Sequence, residues 1–154
     1  MRPSALTIYQ AHLDRVTALV WEGRFGDAAR AMDYPHLRTA PEGEAQLMTP
    51  EQVARDMQAF RDRMADLGAT SYRRMAEAAE YHPANPDRID GVHRTCIFRR
   101  GGYAVEPYLA RLTLRCAVGL WRGASLLLAE TPAALTFFHP TTPKRRPDAA
   151  EERR

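Results

Sequence analysis

The order in which this chain changes periodicity constrains its fold more than any other feature. Its first part carries amphipathic helical stretches. From residue 88 onward the apolar pattern becomes runs joined by turns, ending in "LWRGASLLLAE". Helices followed by strands define an α+β domain whose helices fold back onto one antiparallel sheet, burying both apolar faces. The first helix spans about residues 4–22. Ala5, Ile8, Tyr9, Leu13, Val16, Leu19 and Val20 recur at steps of three and four, and Gly23 supplies the stop. A short helix over about 25–32 ends before the extended "YPHL". The third helix, about 50–67, has the clearest start. Thr49 is an N-cap, Pro50 takes the first helical position, and Gln52 is placed to close a capping box. Behind it Val53, Met57, Phe60, Met64 and Leu67 form a stripe that reads as core.

The segments "RIDGVHRTCIF" and "YLARLTLRCAV" read as strands flanking a turn at Gly101-Gly102, and "LWRGASLLLAE" returns after a turn near Val118-Gly119. Residues 70–82 are ambiguous, because their alanines and glutamates favour helix. With 154 residues and 45% hydrophobic content there is material for one core, so residues 1–139 are expected to form a single domain. No apolar run approaches a membrane span and the N-terminus lacks the order of a signal peptide. Cytoplasmic residence without a membrane partner is the expectation. Of the net charge of +3, residues 144–154 carry +2, from five basic and three acidic side chains. Mixed signs, no aromatics and nearby prolines make residues 140–154 a solvated, disordered tail rather than a nucleic-acid arm. Cys96 and Cys116 are expected as reduced, buried thiols. The histidines and cysteines show no ligand spacing, so neither a metal nor a cofactor is expected.

Taken in order, Gly26-Asp27 after the first helix, Gly101-Gly102 between strands, and Trp121-Arg122 opening the last strand resemble the nuclear transport factor 2-like superfamily over about residues 5–130. The resemblance implies a curved antiparallel sheet wrapped around the N-terminal helices, cone-shaped with an internal pocket. It makes residues 70–82 a strand and implies a homodimer paired through the convex face. Such relatives include ketosteroid isomerases, limonene-type epoxide hydrolases, polyketide cyclases and binding domains without activity, so function has to be read from individual residues.

Arg88 and Asp90 resemble the Arg-x-Asp of limonene-type epoxide hydrolases. Two apart on a strand, they share a face and can hold a water and an epoxide oxygen together. The second acid of that pattern is replaced by Gly123. His93, in "GVHRT", is similar to the histidine of polyketide-cyclase relatives and suits proton transfer near neutrality. Alternation sets it opposite Asp90 unless a bulge at Gly91 resets the phase. The isomerase pattern is not met: its tyrosine position falls near Leu19, and "YPHLRTAPEGE" offers only Glu42 and Glu44 in place of an aspartate. His36 reads as loop or pocket rim.

With Leu112, Leu114 and Cys116 facing inward, the inner set on the preceding strand is expected to be Arg88, Asp90, Val92, Arg94, Cys96 and Phe98. On the last strand it is Trp121, Gly123, Ser125 and Leu127. The candidate ligand-binding residues are therefore Tyr9, Tyr34, Arg94, Leu112, Leu114, Trp121 and Ser125. Arg88, Asp90 and His93 are the candidate catalytic groups, with Asp90 expected in a salt bridge to Arg88 or Arg94. Three functions fit these residues: a domain binding an apolar small molecule; a hydrolase, isomerase or cyclase using Asp90 with Arg88 or His93; or a protein–protein dimerisation module.

Overall fold

Ser4 and Thr49 start the two long helices of the computed structural model, which describes residues 2–39 and 45–128. The Ser4 side chain accepts from the Thr7 amide at the head of α1, Ala5–Trp21. A short α2, Phe25–Ala29, follows. At the head of α3, Pro50–Asp66, Thr49 and Gln52 each satisfy the other's backbone N–H. A cap of this kind stabilises a helix by about 1 kcal/mol. Gly23 and Gly68, just past α1 and α3, take left-handed φ values of 82° and 75°, which stop each helix without strain. No described helix is long and apolar enough to cross a membrane.

The strands are β1 Met32–Thr39, β2 Gln46–Met48, β3 Ala69–His82, β4 Asn85–Arg99, β5 Gly102–Tyr103, β6 Tyr108–Ala117 and β7 Leu120–Leu128. They form one curved, unclosed sheet in the order β2-β1-β7-β6-β4-β3, with β5 paired to β4. β3 pairs with β4 from Ala69 opposite Arg99 to His82 opposite Asn85, so ladder pairing overrides its helical composition. Gln10 of α1 locks helix to sheet by donating to the Arg74 carbonyl at 2.9 Å and accepting from the Ala76 amide at 2.7 Å.

Four expectations need correction. "YPHL", expected as an extended stretch with His36 in a loop or at a pocket rim, lies in the strand β1, and β2 pairs with it. The sheet is antiparallel except between β1 and β7, which run parallel. Cys96 is buried and Cys116 only half-buried, both as free thiols.

The fourth correction is one of phase. Leu112 and Leu114 lie opposite Gly91 and Ile89, not opposite Asp90 and Arg88. The inward set of β4 is therefore Ile89, Gly91, His93, Thr95 and Ile97, while Arg88, Asp90, Val92, Arg94 and Phe98 lie on the convex side. A one-residue difference in register moves every side chain to the other face. On β7, Trp121 and Gly123 pair with Cys116 and Leu114, facing inward as expected. A bulge at Ala124 then reverses the phase, so Leu126 follows Leu112 inward and Ser125 follows Thr113 outward. The tail at 140–154 and the segment with Glu42 and Glu44 lie outside the described residues.

α1 crosses the concave side and divides the interior. At one end Tyr9 and Leu13 pack with Ile89, Leu112 and Leu114. At the other, Val16 and Val20 join Val53 and Met64 of α3 and Ile97 of β4. Gly91 is required where α1 meets the sheet, since a Cβ there would stand 2.3 Å from Tyr9 Cε1.

Candidate functional site

Between these apolar clusters lies a half-open cavity of about 180 Å³. Its floor and walls come from Val16 and Val20 of α1, Val53 and Phe60 of α3, and Leu112 and Leu128 of the sheet. Into this apolar surface the described residues set, beside the hydroxyls of Tyr72, Thr95 and Tyr108, three imidazoles and three charged side chains: His12, His36 and His93, and Arg38, Asp56 and Arg74. Burying such groups is costly unless each finds a partner, so their pairing describes what the cavity can do.

His93 is fully buried and its Nδ1 shares a 2.7 Å hydrogen bond with the Tyr9 hydroxyl. His36, also buried, donates from Nδ1 to the Gly123 carbonyl at 2.9 Å. Arg38 and Asp56 form an ion pair. Arg74 donates from Nε to Thr17 Oγ1 at 2.8 Å and from Nη2 to the Leu13 carbonyl at 3.5 Å. His12 differs from these: it is 4% exposed, and neither ring nitrogen has a hydrogen-bond partner among the described residues.

Burial, followed by the positive charge of Arg74, pushes the His12 and His93 pKa values down to about 3. His36 is also lowered, with burial outweighing the Gly123 carbonyl that favours its cation. All three imidazoles are therefore neutral at pH 7. Burial likewise pushes the hydroxyls of Tyr9 and Tyr108 well above the usual phenol value, and both stay protonated. Among the described residues, no three His, Cys, Asp or Glu side chains are placed to hold a metal ion.

The residues singled out in the sequence divide by face. His93 and Leu112 line the cavity, and Tyr9 supports His93 from the adjoining cluster. Leu114 faces inward but belongs to that cluster, where Trp121 packs edge-on to Tyr81. Tyr34 opens on a separate cleft, donating to the Ala29 carbonyl at 2.6 Å.

Arg88 and Asp90 do form a salt bridge, at 3.1 Å, but it lies on the convex face with Thr113 donating to Asp90 at 2.8 Å. Burial raises the Asp90 pKa, yet the hydrogen bonds from Thr113 and Arg88 outweigh it and leave it lowered. Arg94 pairs with Glu77 on the same side, and Ser125 lies beside Thr113. The Asp90 carboxylate is thus separated from His93 by the thickness of the sheet. His12, Arg74 and the Arg38–Asp56 pair were not singled out by the sequence. For His12 a signal exists: a histidine beside the buried stripe Tyr9, Leu13, Val16.

No known family model matches the chain, and no curated protein sequence does either. Solved structures do. Aln2 from a Streptomyces species superposes with a TM-score of 0.63 at 17% identity, covering 84% of this chain and 94% of that one. An NTF2-like protein with a cystatin-like fold from Novosphingobium aromaticivorans gives 0.58 at 18% identity, over 84% and 87%. A Catenulispora acidiphila protein, solved in complex with S-DNPA, gives 0.58 at 17% identity, over 78% and 90%. Likeness at this level of identity speaks for architecture. The chain has the nuclear transport factor 2-like fold.

Proposed function

We propose that this chain is a small-molecule-binding domain whose ligand, largely apolar and about one ring in size, sits in the concave cavity. The observation that carries the reading is the cavity itself: about 180 Å³ left unfilled between two packed clusters, with apolar walls and polar groups converging on it. An apolar cavity of about 150 Å³ is enough to hold benzene. A single ring with a small substituent therefore matches the space, and a steroid does not. The Catenulispora acidiphila protein, solved in complex with S-DNPA, offers a precedent for a bound complex on this fold.

Binding is favoured over acid–base catalysis by the state of the polar groups. An efficient general base needs a pKa near the working pH. His12 and His93 are pushed down to about 3, Asp56 is tied to Arg38, and Asp90 is on the far face.

The test is thermal stabilisation by toluene, benzoate and cyclohexanecarboxylate, compared with a steroid, in the native chain and in Ala110→Phe. Ala110 is 2% exposed and lines the cavity, so a benzyl group there fills it. A ligand that binds only the folded state raises stability with its occupancy. One-ring compounds should stabilise the native chain and not the filled variant. Stabilisation that persists in Ala110→Phe, or none with any compound, would refute a binding site in the cavity.

A further inference from the structure

We infer that the molecule bound in this cavity is a monocyclic carboxylic acid, held as its carboxylate by Arg74 with His12 as a second donor. This rests on the cavity being a ligand site and adds the chemical class of the ligand.

The charges on the wall lead to this class. Among the described residues, two guanidinium groups line the cavity. Arg38 is matched by Asp56. Arg74 is half-buried and, among the described residues, donates only to the neutral oxygens of Thr17 and Leu13. No carboxylate pairs with it among the described residues, so the described part of the wall carries one positive charge in excess. A guanidinium has five N–H donors in a planar fork, and two of these are spent on α1. The rest suit a carboxylate, whose two oxygens match the fork.

His12 is the second, independent observation. It is nine-tenths buried, lines the same cavity, and both of its ring nitrogens are without partners among the described residues. A native interior rarely keeps such a group without cause. As a neutral imidazole it has one N–H to offer an anion. Gly123 keeps the space beside the ring open, since a Cβ there would lie 3.4 Å from His12 Nε2 and 2.8 Å from the Met32 sulfur. The apolar remainder of the wall, with the Tyr72 and Phe60 rings in edge contact at 5.4 Å, takes the hydrocarbon ring.

The experiment is calorimetric titration with benzoate, benzamide and toluene at pH 7, in the native chain, Arg74→Met, Arg74→Lys and His12→Leu. Benzamide keeps the shape of benzoate and lacks the charge. Benzoate should bind the native chain about tenfold or more tightly than benzamide, the difference between charge-assisted and neutral hydrogen bonds. Arg74→Met should abolish that preference and leave toluene binding intact, and His12→Leu should weaken benzoate alone. If Arg74→Met fails to fold for want of its contacts to α1, Arg74→Lys keeps a cation and should retain part of the preference for benzoate. Equal affinity for benzoate and benzamide, or toluene binding with no benzoate binding, would overturn the assignment and leave the cavity reading standing. Binding of none of the three would overturn both.

Discussion

Replacing His12 by leucine should make the protein more stable, which is the reverse of most substitutions at a buried site. The ring is 4% exposed, and neither nitrogen has a partner among the described residues to lose. Leaving a buried polar group unsatisfied costs about 1–3 kcal/mol, and leucine removes that cost while filling nearly the same volume. The gain should also grow with acidity. The folded His12 pKa is down at about 3, against an ordinary 6.5, so between those values the unfolded chain takes up a proton that the folded chain refuses. That difference lowers native stability by about 1.4 kcal/mol for each pH unit below 6.5. At pH 5 the leucine variant should therefore lead by roughly 2 kcal/mol more than at pH 7. Calorimetric melting at both values reads this directly, with a rise in Tm of roughly 3–10 °C at pH 7 for a domain of this size. A lower Tm at pH 7, or a gain that is the same at pH 5, would refute the placement of an unpartnered, neutral imidazole at this position.

Three further outcomes follow from the same geometry. In the native chain, His93 should add its own loss to that of His12 as pH falls from 6.5 toward 3, giving about 2.8 kcal/mol per pH unit from the pair in urea titrations. Stability that is flat between pH 7 and 5 would contradict it. Gly91→Ala should cost about 2–4 kcal/mol, because its Cβ would fall 2.3 Å from the Tyr9 ring and force that ring off His93; chemical denaturation measures the loss. Asp90→Asn should change stability by less than about 1 kcal/mol and leave ligand titrations unaltered, since its partner Arg88 is 40% exposed and the pair lies on the convex face.

The helices were legible because their signals are local. Thr49, Pro50 and Gln52 mark the start of α3 within four residues, and the stripe of α1 shows which side is buried. β1 was not legible, because its main partner is β7, where Leu37 meets Ser125, and no nearby residue records that pairing. The site was misread for a related reason. The face on which Asp90 or His93 falls depends on whether Leu112 meets Asp90 or Gly91, and the connection between β4 and β6 sets that register. Ala124 then adds a residue to β7 that no turn signal announces, which moves Ser125 outside. Arg74 stayed hidden because β3 reads as helix by composition; the resemblance makes it a strand, but which face Tyr72, Arg74 and Ala76 share emerges from pairing with β4.

Methyl chemical shifts during a toluene titration test the binding site most directly. Val16, Val53, Leu112, Leu126 and Leu128 line the cavity, and Met75, Leu109 and Leu127 stand on the outer surface with 46%, 38% and 44% exposure. Saturable shifts should appear in the first group and vanish in Ala110→Phe, while the second group stays fixed. Shifts confined to Met75, Leu109 and Leu127, or spread evenly over both groups without saturation, would contradict a ligand site inside the cone.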